Sequence, residues 1–409
     1  MVARSLHVVY PFNSQLPSPR ANSIQVMNTC HALARLGARV HLLARREGSA
    51  DMSRVLEYYG LQPVDDLDIR FLPTVRFGPD AIFNLSFQLS MVRALHTLVG
   101  KASHRILFTR DMLCAATAIR LRWWLRTPVV YEVHALNHLT NALFTNTAPS
   151  ARRALRLKAR EQYVYARSLG LVCISAACRE ALTGAFDVPC AMEVIADASA
   201  VSVPPEAKEM LAAPRLLCIG QFYPWKGVDT AVRAMAELPG VSLDLYGGGY
   251  FTASADVERL RRVAEDAGAA SAVNFMGLVP PGQIGQVLRR GYIGILPAAD
   301  NVMGRHFISP LKLFEYMSCS VPVVASDLPP IREIVVHERN GLLFRAGDAS
   351  DLAAQVKRLI EDSDLRERIT RQACQDAQGY TYDRRAERIL DLLSRAGVAG
   401  DSRPGPCPG

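Results

Sequence analysis

Arg215-Leu-Leu-Cys-Ile219-Gly-Gln-Phe-Tyr-Pro-Trp-Lys226-Gly227-Val228 reads as a buried strand, a tight turn and the start of a helix. The apolar run Leu216 to Ile219 is short enough for a strand and opens where a proline-containing stretch ends. Gly227 lets the backbone turn closely, and the helix is expected to start near Val228. In open parallel sheets ligands bind outside the carboxyl ends of the strands, so a lysine in such a turn faces a crevice and suits a diphosphate.

The same unit repeats on both sides of this stretch. Apolar runs at 215–219, 242–246, 272–275, 292–296 and 321–325 alternate with helical patterns, as do runs at 5–10, 39–44, 68–72, 105–109, 128–133 and 169–174. Such alternation predicts α/β architecture with parallel sheets covered by helices on both faces. Eleven strands with their helices exceed one core, so two sheets are expected. The run 200–214 holds Pro204, Pro205 and Pro214 and no strand, and is the expected linker. The boundaries read as 1–200 for the first domain and 210–379 for the second. A last amphipathic helix is expected over Asp383 to Arg395, and a Gly/Pro-rich tail, 397–409, is expected to be disordered.

Composition narrows the class. The 409 residues are 49% hydrophobic and 21% charged, which is globular. The apolar start, Ser5 to Tyr10, breaks at Pro11 as a buried first strand would, and does not read as a signal peptide. The segment 81–99 is interrupted by Asn84, Gln88 and Arg93 and reads as an amphipathic helix, not a membrane span. Nine cysteines without metal-type pairing predict reduced thiols and a cytoplasmic protein. Residues 1–200 hold 23 Lys+Arg against 14 Asp+Glu, whereas 201–409 hold 24 against 25, so the whole basic excess lies in the first half. It clusters at Arg120, Arg122 and Arg126 around Trp123 and Trp124, and at Arg152, Arg153, Arg156, Lys158 and Arg160. No nucleic-acid recognition motif accompanies the charge. Solvated helix faces are the plain reading and contact with an anionic bilayer, at the inner face of the membrane, the sharper one.

A second stretch, Ser309-Pro-Leu-Lys-Leu-Phe-Glu315-Tyr-Met, supports the first. Ser309 is placed to cap a helix with Pro310 at its first position, leaving the N–H groups of Leu311 and Lys312 free to meet a phosphate. Lys312 adds charge, and Glu315, on the same face, can accept two hydrogen bonds from a vicinal diol such as ribose. The plain alternative is a capped surface helix with an i,i+3 Lys–Glu pair.

Taken together, this helix, the Tyr223-Pro-Trp-Lys-Gly227 turn, Val321-Pro-Val-Val-Ala-Ser-Asp327, Arg20-Ala-Asn22-Ser-Ile-Gln25 and Asn340-Gly-Leu-Leu-Phe344 resemble the retaining GT-B enzymes of glycosyltransferase family 4. The likeness runs from about residue 5 to 396. It implies two Rossmann-like domains facing a cleft, an N-terminal one on the acceptor side and a C-terminal one that binds the donor. It also implies a helix, 380–396, that crosses back onto the first domain, and a retaining, metal-independent hexosyltransferase with no cofactor beyond its nucleotide diphosphate sugar. The acceptor is expected to be a carbohydrate or, given the basic first half, a lipid-linked one, and the role to lie in cell-envelope polysaccharide or glycolipid synthesis. The resemblance assigns Lys226 to the donor diphosphate, Glu315 to the ribose and His134, in Tyr131-Glu-Val-His134, to the donor sugar. Gly220, Gln221, Ser309, Pro310, Leu311 and Lys312 complete the donor side. Arg20, Asn22 and Arg110 are acceptor-side or phosphate-side candidates. The chain departs from the family pattern at Phe307, where a glutamate is frequent, and at Gln221, Ala21 and Ala135. An epimerase or phosphorylase on the same architecture, or a catalytically degenerate sugar-nucleotide-binding protein, are the alternatives.

Three further patterns carry less. Asp66-Leu-Asp68 precedes its strand and reads as a loop, not a metal-binding Asp-x-Asp. His134 and His138 lack the third ligand of a zinc site. Gly247-Gly-Gly249 is not continued into a dinucleotide-binding fingerprint.

Overall fold

The computed structural model describes residues 6–75, 80–99, 104–145, 149–201, 214–248 and 253–401. The chain divides into two compact units, Met1–Ala196 with Tyr382–Gly409, and Asp197–Thr381. Of the stretch 200–214, residues 202–213 lie outside the described residues, as does the tail 402–409.

The first unit is a seven-stranded sheet of β1 (Leu6–Leu16), β2 (Arg39–Arg46), β3 (Leu67–Phe71), β4 (His104–Thr109), β5 (Val129–Val133), β6 (Gly170–Cys173) and β7 (Ala191–Val194). All neighbours are parallel, in the order β3-β2-β1-β4-β5-β6-β7. The order reverses between β1 and β4, and the crevice at such a reversal is where doubly wound sheets take ligands. Every residue of β5 is buried, which explains why Val-Val-Tyr-Glu-Val shows no alternation of polarity. The first strand does not stop at Pro11. It runs on to Leu16, with its register against β2 shifting between Pro11 and Gln15.

The second unit is a six-stranded parallel sheet of β8 (Arg215–Gly220), β9 (Ser242–Gly247), β10 (Val273–Gly277), β11 (Ile293–Leu296), β12 (Val323–Ser326) and β13 (Leu342–Phe344). Its order is β10-β9-β8-β11-β12-β13, which reverses between β8 and β11. Two strands, β7 and β13, are absent from the expected set of eleven. Ala191–Val194 is half exposed and Leu342–Phe344 has three residues, so neither forms an apolar run that stands out.

The last helix, Tyr382–Asp401, belongs to the first unit, where it packs against the helix Ala21–Arg35, β4 and β6. Ala386, Ile389, Leu392 and Leu393 are buried at helical spacing, and a Cβ on Gly170 would stand 3.4 Å from Leu392 Cδ1, in van der Waals contact. The helix extends beyond Gly397 to Asp401, into the segment expected as a tail. Residues 80–99 form the helix Asp80–Val99. No helix among the described residues is long and apolar enough to cross a membrane.

Candidate functional site

In the second unit the turn after β8 is built tightly. Pro224–Lys226 form one 3-10 turn, and Gly227 then takes φ 72°. A Cβ at Gly227 would stand 2.0 Å from the Pro297 carbonyl oxygen just beyond β11, so only glycine allows the two loops this approach. The Asn301 amide donates to the Trp225 carbonyl at 3.1 Å while its oxygen caps the helix Val302–His306 through Gly304 N at 3.0 Å. Lys226 is thereby fixed at the carboxyl end of β8, at the point where strand order reverses. Its Nζ lies 4.6 Å from the Trp225 ring centroid.

Lys226 has no carboxylate within ion-pair distance among the described residues. Asp229 is held by Arg259, and Asp300 by Arg305. Removal from water lowers the lysine pKa from its ordinary 10.5 to about 8. At the carboxyl end of the same strand, Gln221 Oε1 is buried and accepts no hydrogen bond. Gly220 takes φ 149°, and a Cβ on Gly247 would come 1.7 Å from the Gly220 carbonyl, which brings the ends of β8 and β9 together. Among the described residues this loop thus carries a cation with no carboxylate partner and a buried acceptor with no donor.

The 309–317 stretch differs from expectation in its first turn. The helix is Leu311–Ser318, with Pro310 as its N-cap and no side-chain cap. Ser309 is not the cap, because its Oγ accepts the Asp197 N–H at 2.8 Å instead. The N–H groups of Leu311 and Lys312 still belong to the opening turn, which has no intrahelical acceptors. Lys312 Nζ and Glu315 Oε2 are 2.6 Å apart, so the two charges expected to hold phosphate and ribose hold each other. Tyr316 anchors this helix: its hydroxyl donates to Leu217 O at 3.1 Å and accepts from Ile219 N at 3.2 Å, and its ring occupies the space a Cβ on Gly294 would need. Phe307 is buried, so it fills core and presents no polar group.

In the first unit the candidates gather behind β5. Glu132 is fully buried and accepts from Gln25 Nε2 at 2.9 Å, from Tyr10 OH at 3.3 Å and from Arg385 of the last helix. His134 Nε2 lies 3.2 Å from Glu132 Oε1, and Arg110 Nη1 donates to Gln25 Oε1 at 2.9 Å. Burial pushes the Glu132 carboxyl up, but Arg385, then His134 and Arg110, outweigh it and hold the group far below the usual carboxylate range. Arg20 and Asn22 stand, partly exposed, at the start of the helix Ala21–Arg35 that carries Gln25. The role of Glu132 and Arg385 was hidden in the sequence. Glu132 lies in an apolar strand next to His134, a usable clue, while nothing near Arg385 distinguishes it from other surface-helix arginines.

Next to this network is a cavity of about 310 Å³ lined by Arg110, Asp111, Tyr131, Asn137, Arg160 and Glu161, among others. Its carboxylates are engaged. Asp111 caps the helix Met112–Arg120 through Leu113 N at 2.9 Å and Cys114 N at 3.0 Å, worth ~1 kcal/mol. Glu161 accepts from Asn137 N and lies 2.6 Å from His138 Nδ1. His134 and His138 thus address different carboxylates. Asp68 lies within β3, not before it, paired with Arg70 Nε at 2.5 Å and His41 Nδ1 at 3.2 Å. Among the described residues no group of three His, Cys, Asp or Glu is placed to hold a metal ion.

Comparison with known proteins matches each half separately. Residues 23–197 match the model of Glycosyltransferase Family 4, and residues 211–376 that of Glycosyl transferases group 1. The D-inositol 3-phosphate glycosyltransferase of Acidothermus cellulolyticus is 33% identical over 189 residues, which is 44% of this chain and 41% of that protein. The protein of the same description from Actinosynnema mirum is 28% identical over 303 residues, 68% of each chain. The match therefore spans less than half the length of the first of these relatives. Among solved structures, sucrose-phosphate synthase from Thermosynechococcus elongatus superposes with a TM-score of 0.78 at 18% identity, covering 96% of this chain and 99% of that one. Anabaena HepE in complex with UDP-glucose gives 0.74 at 17% identity, covering 95% and 99%.

Proposed function

We propose that this chain, which belongs to the glycosyltransferases of family 4 and group 1 and has their GT-B fold, transfers a hexose from a nucleotide diphosphate sugar to an acceptor hydroxyl. The observation that carries the reading is Lys226: a half-buried ammonium with no carboxylate partner among the described residues, at the carboxyl end of the strand where the second sheet reverses. A donor diphosphate supplies the missing charge, with Lys312 and the opening turn of the helix Leu311–Ser318 beside it. Glu315 then exchanges Lys312 for the ribose diol. Stabilising the departing diphosphate lowers the barrier where negative charge develops. His134 contacts the transferred sugar, and the leaving phosphate takes the acceptor proton in a front-side displacement that retains the anomeric configuration. No metal is needed, since lysines and backbone N–H groups meet the phosphate charge.

The acceptor belongs to the first unit, in the cavity beside Arg110 and Arg160. Curated relatives named for D-inositol 3-phosphate fit an acceptor whose anionic group meets these arginines. The first unit also carries a docking face for an anionic bilayer. Ile82, Leu85 and Leu89 are exposed and share one face of the helix Asp80–Val99 with His96, whose ring stacks on Trp124 at 4.8 Å. Trp123 beside it is 75% exposed, and Arg93, Arg122 and Arg126 border the strip. Apolar insertion with flanking cations suits the cytoplasmic leaflet and a lipid-linked acceptor of envelope glycan synthesis.

Incubation with a panel of nucleotide diphosphate sugars and polyol or lipid-linked acceptors, with and without EDTA, tests the reading. Nucleotide diphosphate should be released only with acceptor present, at the same rate in EDTA, and the glycoside should keep the donor's anomeric configuration by NMR. Phe307 favours one other reading, a sugar-nucleotide-binding protein without turnover; thermal stabilisation by donors with no release under any pairing would establish it instead.

A further inference from the structure

An arginine buried on a helix that already docks through Ala386, Ile389, Leu392 and Leu393 needs a reason beyond packing. Arg385 is 3% exposed, and it reaches Glu132 from 253 positions along the chain. Its other hydrogens go to the carbonyls of Ile195 at 2.9 Å and Ala196 at 2.6 Å and to Thr29 Oγ1 at 3.4 Å. Only a guanidinium, with donors fixed in a planar fork, meets this spread of acceptors.

The consequence lies on the far side of Glu132. His134 Nε2 lies 3.2 Å from this carboxylate as an ion-pair contact, off the line of a hydrogen bond; an ionised carboxylate only accepts, so its charge favours the imidazole proton on that nitrogen over Nδ1. The same carboxylate takes the Gln25 amide nitrogen, which turns the Gln25 oxygen toward Arg110. The groups facing Glu132 are Tyr10 from β1, Gln25 and Cys30 from the helix Ala21–Arg35, Arg110 after β4, His134 after β5 and Arg385 from the last helix. Among them Arg385 is the permanent cation in direct contact with the carboxylate. We propose that Arg385 is a positioning residue: by keeping Glu132 a carboxylate, it fixes His134 with its proton on Nε2 and, through the Gln25 amide, aims the Arg110 guanidinium. This rests on the transferase reading for the use made of His134, but not for the wiring itself.

The test separates the two. Full-length protein labelled with 15N-histidine, with the His134 signals identified by a His134→Asn variant, reports the tautomer directly. The parent should show Nε2–H at neutral pH. The double variant Glu132→Gln/Arg385→Met removes both charges, so that no single charge is left buried, and should give a mixture of tautomers. Arg385→Lys, which keeps the charge, should retain Nε2–H. In the transfer assay the double variant should lose about 10–100-fold in kcat, as supporting residues behind a site typically do, with the donor KM within about twofold. A folded double variant that keeps the Nε2–H tautomer and the parental kcat overturns the proposal, as does a parent in the Nδ1–H form. A tautomer that responds as expected in a parent that transfers no sugar supports the wiring and overturns the transferase reading alone.

Discussion

Glu132, fully buried in the first unit, and Lys226, half-buried in the second, both stand at or just beyond the carboxyl end of a parallel strand, and the chain treats them in opposite ways. Around Glu132 it supplies Arg385, the Gln25 amide, the Tyr10 hydroxyl and the His134 ring, so the charge is stabilised before any ligand arrives. Around Lys226 it supplies the Trp225 ring and, among the described residues, no counter-charge, and the ammonium pKa falls to about 8. One site is wired, and its polar groups have fixed directions. The other has a cation with no counter-charge among the described residues, as the proposed diphosphate site requires. That difference suits a protein in which one unit holds an orientation and the other binds and releases a charged group.

The contrast breaks most easily at Arg385. Arg385→Met leaves Glu132 buried without its cation and should cost about 3–5 kcal/mol of stability in urea denaturation at pH 7. Because the folded carboxyl titrates below its ordinary 4.5, the pair's contribution is fully present above that value and fades as pH falls beneath it, so parent and variant should converge in acid. Equal stability at pH 7 would show that the network carries little energy.

Lys226→Met should do the reverse. Removing a desolvated charge without a partner should leave the melting temperature unchanged or higher, while nucleotide diphosphate affinity, measured by calorimetry, falls by about 1.5–3 kcal/mol. A destabilised variant with parental affinity would place Lys226 in the core instead of the site. The pH dependence sharpens this. The free lysine loses its proton as pH rises through about 8, so parental affinity should decline above that point. The decline should be absent in Lys226→Met.

Glu315→Ala should have a smaller effect, about 0.5–1.5 kcal/mol in nucleotide affinity, because the ligand must first displace Lys312 and the freed lysine then serves the phosphate. An equal loss with the corresponding 2′,3′-dideoxynucleotide would remove Glu315 from the ribose. Smallest is the bilayer contact, where each cation near an anionic surface contributes ~1 kcal/mol. Co-sedimentation with phosphatidylserine vesicles at low salt should weaken in Trp123→Ser and vanish near 1 M salt, where the Debye length is ~3 Å. Equal, negligible binding to anionic and neutral vesicles at low salt would leave the exposed strip without this role.

The sequence by itself determined the alternation of strands and helices, the two sheets, the amphipathic helix Asp80–Val99 and the turn at Lys226. Each of these is written in short-range terms: a run of apolar residues, a proline, a glycine needing positive φ. It did not determine the strands at Ala191–Val194 and Leu342–Phe344, which exist because a neighbouring strand offers hydrogen bonds and not because their own residues demand burial. Nor did it determine what Ser309 caps, since the Asp197 N–H that takes its hydroxyl lies 112 positions away. Tertiary structure alone decided that Lys312 and Glu315 close on each other, that Lys226 has no counter-ion among the described residues, and that Arg385 stands behind Glu132. Electrostatic partners are fixed by distance in space, and the 253 positions between Arg385 and Glu132 leave no periodicity for a reader of the sequence to find.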